Sequence, residues 1–109
     1  MAIIFLRALF AFHVISTLAD ASKPVDVYQF ADQLRASIKG YVFLRGSPDY
    51  ETARPVHNGA CRHIFPLVIV KPMNTDDVSA TVRLATYHGL ELSVRGGGHS
   101  FQCLGTKVR

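Results

Sequence analysis

The 109-residue sequence lacks a cluster of basic residues, a long apolar run and a set of cysteines. Its 12 Lys and Arg outnumber its 8 Asp and Glu, which gives a formal net charge of +4, yet the basic residues are scattered along the chain. Nucleic-acid binding is typified by clustered Lys and Arg, so we expect no nucleic-acid partner. Anionic small molecules stay open as ligands.

The chain has only two cysteines, Cys61 and Cys103. Two cysteines define neither a disulfide framework nor a metal site, so we expect no metal. They are compatible with one disulfide in an oxidising compartment and equally with two separate thiols.

The first residues of the chain have the order of a leader sequence. Arg7 precedes an apolar stretch, Ala8 to Leu18, and Ala19-Asp20-Ala21 matches an A-x-A cleavage site. The stretch is shorter than the roughly 20 apolar residues that span a membrane. We therefore predict a signal peptide over residues 1–21, no stable membrane span and a secreted or extracellular protein. A buried core helix or an uncleaved anchor is the alternative.

Residues 22–64 are expected to form an N-terminal helix and a connecting segment. The helix is predicted from Ser22 to Ile38, with Asp26 near its start and Gly40 just past its end. Its apolar residues at helical spacing are Val25, Val27, Phe30, Ala31, Leu34 and Ile38. The prolines and glycines between Tyr41 and Arg62 are typical of connections, with at most one short edge strand.

The second part of the chain, residues 65–109, carries the stronger patterns. Phe65 to Val70 is a short apolar run rich in β-branched residues, which predicts a strand buried on both faces. A helix is predicted next, with Asn74 or Thr75 as N-cap and Gly89 as C-terminal stop. Its apolar stripe is expected to be Val78, Val82 and Ala85.

Leu90 to Arg95 then alternates apolar and polar residues, which predicts a second strand. Strand, helix and strand in this order normally form a parallel, right-handed βαβ unit. The expected fold class is therefore α/β, a two-layer α+β arrangement built on a βαβ unit. Three glycines follow the second strand, where ligands of open α/β sheets bind.

The glycines Gly96, Gly97 and Gly98 each cost about 0.5–1 kcal/mol of backbone entropy relative to alanine. They can turn several backbone N–H groups toward one point, which makes an anion-binding nest suited to phosphate, and Arg95 is placed to add charge. The loop fits neither the G-x-G-x-x-G nor the Walker pattern. A mobile turn with a solvated histidine is the alternative.

The stretch "FPLVIVKPMNTDDVSATVRLATYHGLELSVRGGGHS" resembles the start of the FAD-binding domain of the vanillyl-alcohol-oxidase (PCMH) type, most closely the berberine-bridge-enzyme-like oxidases. The residues that carry the resemblance are Pro66, Ile69, Pro72, Asp77, Val78, Gly89 and Val94 to Ser100. The resemblance implies FAD as cofactor, with Arg95, Gly96, Gly97, Gly98, His99 and Ser100 around its pyrophosphate. It also implies a covalent bond from His99 to the flavin 8α-methyl, for which a neutral imidazole nitrogen is a suitable nucleophile.

The resemblance further implies an FAD-linked oxidoreductase that transfers hydride from a small organic substrate to flavin. In this family a substrate domain and the catalytic base follow the matched segment, so we expect an incomplete FAD-binding domain over residues 65–109 and no catalytic residue. His57 stands where the family often has tryptophan, and Cys103 is too close to His99 to make a second flavin bond. A small secreted anion-binding module, or an inactive fragment without redox activity, is the alternative.

Overall fold

The computed structural model describes residues 24–106 of the chain. The signal peptide predicted over residues 1–21 lies outside the described residues, and the boundaries at 22–64 and 65–109 stay predictions. Within residues 24–106 the chain forms three α-helices, one 3₁₀ turn and two strands. No helix in this part of the chain is long and apolar enough to cross a membrane.

The first helix, α1, spans Val27–Ser37. Its N-cap is Asp26, whose carboxylate accepts hydrogen bonds from the backbone N–H groups of Tyr28 and Gln29. This cap satisfies two of the amides that a helix start leaves unpaired. The residues that α1 buries are Phe30, Ala31 and Leu34. The structure thus confirms a helix here with Phe30, Ala31 and Leu34 on its apolar face, but α1 begins later than predicted, and Val25 precedes it and is exposed.

Two strands, β1 (Tyr41–Leu44) and β2 (Val68–Lys71), pair in antiparallel orientation, with Val42 opposite Val70. β1 is the short edge strand expected in the connecting segment. β2 overlaps the strand predicted at Phe65–Val70, but the prediction of burial on both faces is wrong. Its side chains are half-buried because, within residues 24–106, β1 is the only strand that pairs with it.

A short helix, α2 (Pro48–Ala53), and a 3₁₀ turn (Gly59–Cys61) lie in the region predicted as connections. Ser47 caps α2 by accepting a hydrogen bond from the Tyr50 N–H at 3.3 Å. The local signal is present in the sequence, since a capping serine followed by proline marks a helix start. Six residues are too few to show a hydrophobic period.

The third helix, α3, spans Thr75–Tyr87 and confirms the helix predicted there. Asn74 is the N-cap, and its side-chain oxygen accepts a hydrogen bond from the Asp77 N–H at 2.9 Å. The chain leaves the helix at Gly89, whose φ of +65° lies in the left-handed region that favours glycine.

The apolar stripe predicted for α3 is only partly right. Ala85 is fully buried, whereas Val78 and Val82 are each 46% exposed. The helix buries a different set: Asp77, Ala80 and Ala85. Ala85 shares the core with α1, and the two valines face a cavity beside β2 instead.

The core lies between the two long helices and one face of the sheet. Its buried members are Phe30, Ala31, Leu34, Val42 and Ala85, with Ile38, Leu44, Val68, Val70, Leu84 and Leu90 packed around them. The rings of Phe30 and His88 contact each other in an edge-to-face arrangement, with centroids 5.5 Å apart. The resulting two-layer arrangement of helices on a sheet agrees with the predicted mixed α/β class.

Asp77, only 2% exposed, connects three parts of the fold through backbone hydrogen bonds. One carboxylate oxygen accepts from the Lys39 N–H and the other from the Met73 N–H, both at 2.9 Å. These bonds, that from Met73 first, lower the pKa of the carboxyl although burial opposes them. Next to Lys39, Gly40 passes so close that a Cβ would collide with the Lys71 carbonyl oxygen.

The second predicted strand, Leu90 to Arg95, is wrong, because residues 90–95 form no ladder in the structure. A strand exists by virtue of hydrogen bonds to a neighbour. Residues 91–96 instead line one side of a cavity, and β2 lines another. The parallel pairing of a βαβ unit is thus absent within residues 24–106.

We predict that Asp77→Asn destabilises the protein at neutral pH and makes its stability less sensitive to acid. A carboxyl with a lowered folded pKa stabilises the fold above its unfolded value of 3.8 and loses that effect as pH falls toward the lowered value. Thermal melting between pH 7 and pH 3 checks this.

Asp76→Asn is the matched control, because Asp76 is exposed in the same helical turn. If Asp77→Asn melted at the wild-type temperature at pH 7, the carboxylate would not hold these elements together.

Candidate functional site

The glycine loop, residues 95–100, lies beside the segment that runs from the end of α2 to the 3₁₀ turn. The His57 N–H donates a hydrogen bond to the Gly98 carbonyl at 2.9 Å. The Asn58 side-chain amide donates to the Phe101 carbonyl at 3.0 Å. Two segments about forty residues apart in sequence therefore form the site together.

The backbone of the loop is open on one side. Gly96 and Gly97 are exposed, and Gly98 has a φ of +75°, which favours glycine. Within residues 24–106 no hydrogen bond is donated by the backbone N–H groups of residues 96–100. Unpaired, accessible N–H groups on a glycine-rich turn are the donors that an anion-binding nest requires.

The guanidinium of Arg95 is bound by the backbone of a neighbouring segment. It donates hydrogen bonds to the carbonyl oxygens of Ala53 at 2.7 Å, Arg54 at 3.1 Å and Pro55 at 3.2 Å. These carbonyls lie at and beyond the C-terminal end of α2, where a cation is favourable. Arg95 thus fixes the start of the loop, and direct binding of an anion by its side chain stays a prediction.

His99 is exposed, and its ring contacts the ring of His57, with centroids 4.5 Å apart and planes tilted by 31°. Ser100 begins the turn that follows. Its hydroxyl oxygen accepts a hydrogen bond from the Leu104 N–H at 3.2 Å, and its carbonyl accepts from the Cys103 N–H at 3.3 Å. The Ser100 side chain is therefore occupied in the turn.

The two cysteines form a disulfide, which resolves the alternative that the sequence leaves open. Cys61 ends the 3₁₀ turn and is buried, while Cys103 follows the glycine loop. Their Cα atoms are 5.8 Å apart and 42 positions separate them in sequence. The bond connects the far end of the loop to the same segment that Arg95 contacts and that contains His57.

The segment Ala53 to Asn58 also contributes to the candidate site, which the sequence analysis does not predict. Its backbone provides the acceptors for Arg95 and, at His57, a donor to the loop, and this part of its role does not depend on side-chain type. The only signal was the motif "RPVHN", in which His57 departs from the family pattern. The structure places that residue against His99.

A cavity of about 600 Å³ opens next to the loop. Its walls are β2, the exposed valines of α3 and residues 91–96, so Arg95 and Gly96 are the loop residues that reach it. His99 lies outside its lining. No group of three or more metal-binding side chains occurs in the described part of the chain.

Known families and proteins match the part of the chain that contains the glycine loop. Residues 66–108 match the family described as FAD binding domain. The FAD-linked oxidoreductase nodO of Hypoxylon pulicicidum is 45% identical over 66 residues, which are 57% of this chain and 15% of that protein. The FAD-linked oxidoreductase aurO of Gibberella zeae is 40% identical over 58 residues, which are 53% of this chain and 11% of that protein.

The matched segment contains the glycine loop and is similar to an FAD binding domain. Both relatives are FAD-linked oxidoreductases, which supports the FAD-binding domain that the sequence motifs predict. The chain spans 15% and 11% of the length of these two relatives. A closer relationship to the berberine-bridge-enzyme-like oxidases stays a prediction.

We predict that the double variant Cys61→Ala/Cys103→Ala lowers the free energy of unfolding by up to about 4 kcal/mol, the chain-entropy value for a loop of this length. Denaturant unfolding of the oxidised protein measures the difference. A reductant should destabilise the wild type and leave the double variant unchanged. Equal unfolding midpoints for the oxidised and reduced wild type would mean that the bridge does not stabilise the fold.

Proposed function

We propose that this chain provides the N-terminal part of the FAD site in a secreted FAD-linked oxidoreductase. The observation that carries the proposal is the row of unpaired N–H groups at residues 96–100, with Gly96, Gly97 and His99 exposed, inside the segment that matches an FAD-binding domain. A site with free backbone donors and glycine spacing suits a pyrophosphate. The names of the two relatives support the assignment to oxidoreductases.

The pyrophosphate of FAD would be bound by backbone N–H groups of Gly96, Gly97, Gly98, His99 and Ser100. This requires no change in the contacts that hold the loop, since Arg95, the disulfide and the His57 N–H use other groups. The exposure of Gly96 and Gly97 lets a phosphate approach the backbone closely. Arg95 would act chiefly by holding the loop against α2.

His99 would form the covalent bond to the flavin, from a ring nitrogen to the 8α carbon. Its exposure leaves the ring accessible for this reaction. In this reaction the His99 nitrogen and the 8α carbon would each lose one hydrogen, and dioxygen would take up these two protons and two electrons as hydrogen peroxide. The role of this chain would be to hold the imidazole of His99 at the correct place.

When bound, the flavin would act as the acceptor of a hydride from the substrate carbon. Binding of a small organic substrate, through a C-terminal domain, is part of the proposal. Residues 65–109 would then be the start of the FAD-binding domain and would contribute no catalytic residue. Their function is to bind and orient the cofactor.

Secretion is supported by two features of the chain. The leader-like residues 1–21 are typical of a signal peptide. The Cys61–Cys103 disulfide fits the oxidising environment of the secretory pathway. Both features are consistent with an extracellular oxidoreductase.

We predict that the protein, expressed at the full length its gene encodes, keeps yellow flavin absorbance on the polypeptide after acid denaturation. His99→Ala should remove all acid-stable absorbance, because the ring nitrogen that makes the bond is gone. It should still bind FAD reversibly through the backbone N–H groups.

His63→Ala is the matched control, since His63 is another exposed histidine of the described chain. A wild-type protein that stays colourless after folding with FAD would refute the flavin assignment and favour a different anion as ligand. Acid-stable flavin in His99→Ala would refute the attachment site alone.

A further inference from the structure

We propose that His57 is a positioning residue for His99, whose ring it holds in the orientation from which the flavin bond forms. This inference rests on the proposed attachment of FAD to His99. It starts from the ring contact, with centroids 4.5 Å apart, between two exposed imidazoles. His57 stands in the segment that the disulfide and Arg95 fix beside the loop.

The backbone around His57 is tied to the backbone around His99 on both sides of the ring contact. The His57 N–H donates to the Gly98 carbonyl at 2.9 Å. One residue further, the Asn58 side chain donates to the Phe101 carbonyl at 3.0 Å. These two hydrogen bonds fix the distance between the two segments. The backbone therefore brings the rings of His57 and His99 into contact.

The ring of His99 has few other constraints. Within residues 24–106 it makes no hydrogen bond, and its one aromatic contact is with His57. On the chain itself it lies close to Gly97, where an added Cβ would stand 3.3 Å from the Cδ2 atom of His99. The ring is therefore held between a glycine, which leaves room for it, and His57.

The contact does not use the two ring nitrogens of His99, since the residue is exposed and within residues 24–106 its ring makes no hydrogen bond. A nucleophile reacts faster when it is held in one productive orientation. The His99 side chain rotates about two torsions, one with three staggered wells and one with about two, so free rotation lowers the occupancy of a single orientation by up to about sixfold. His57 would prevent that loss.

The test compares His57→Ala with His57→Phe in the protein at the full length its gene encodes. Both variants keep the backbone N–H, but only phenylalanine keeps a ring against His99. Apoprotein is mixed with FAD, and acid-stable flavin is followed over time while the reversible affinity for FAD is measured separately. His63→Ala serves as the control for removal of an exposed histidine.

We expect His57→Ala to slow covalent attachment roughly three- to sixfold, by the rotamer argument, with unchanged reversible affinity. His57→Phe should restore the wild-type rate. A wild-type rate in His57→Ala, or a rate in His57→Phe as slow as in His57→Ala, would overturn the positioning role. No covalent flavin in the wild type would refute the proposed function instead.

A second measurement is independent of flavin. Nuclear magnetic resonance of the chain should show ring-to-ring Overhauser effects between His57 and His99, and a χ1 coupling of His99 typical of one rotamer. In His57→Ala the coupling should move to a rotamer average, and in His57→Phe it should stay near the wild-type value. A rotamer average already in the wild type would overturn the proposal.

Discussion

The carboxylate of Asp77 is the interaction on which the arrangement of helices and sheet depends. It accepts the backbone N–H of Lys39 between α1 and β1 and that of Met73 between β2 and α3. Both connections are thereby held at one point, beside which Gly40 passes the end of β2. A buried charge is tolerated there because several N–H dipoles point at it. The direction in which α3 leaves this point determines where the chain returns at Gly89.

The glycine loop is held by a second set of contacts that shares no group with the first. Arg95 binds the carbonyls after α2, His57 binds Gly98, and Cys103 is bonded to Cys61. All three fix the loop from the same segment, and on the loop side they use the side chain of Arg95, the carbonyl of Gly98 and the side chain of Cys103. The N–H groups of the loop stay unpaired as a result. A rigid frame around free donors is the arrangement that favours anion binding without reorganisation.

The sequence predicts the elements that depend on local signals. Asn74 predicts the start of α3 and Gly89 its exit, because each satisfies or terminates a backbone pattern nearby. The glycine motif likewise predicts the candidate site. The start of α1 is predicted less well, since the helix begins after its cap Asp26 and not at Ser22. The burial of β2 and the stripe of α3 are predicted less well, since Val78 and Val82 line a cavity and their apolar character alone does not say which neighbour covers them.

Features that depend on distant partners are not accessible from the sequence. The pairing of β1 with β2 and the contact of Arg95 with Ala53 join segments without a shared motif. The alternation at Leu90 to Arg95 is a valid signal for a strand, but it predicts a face and not a hydrogen-bonding neighbour. The ring contact between His57 and His99 is also not predictable from the sequence, since it depends on hydrogen bonds between two segments that are distant along the chain.

The disulfide also closes the chain into a covalent ring that contains β2, α3 and the glycine loop. A protease that cuts one peptide bond inside this ring adds one water to the molecule and releases no fragment. His99 would stay joined to the residues before the cut through Cys103 and Cys61. Separation of the two pieces then requires a reductant, so a nicked molecule in an oxidising medium retains the residues of its candidate cofactor site as one covalent unit.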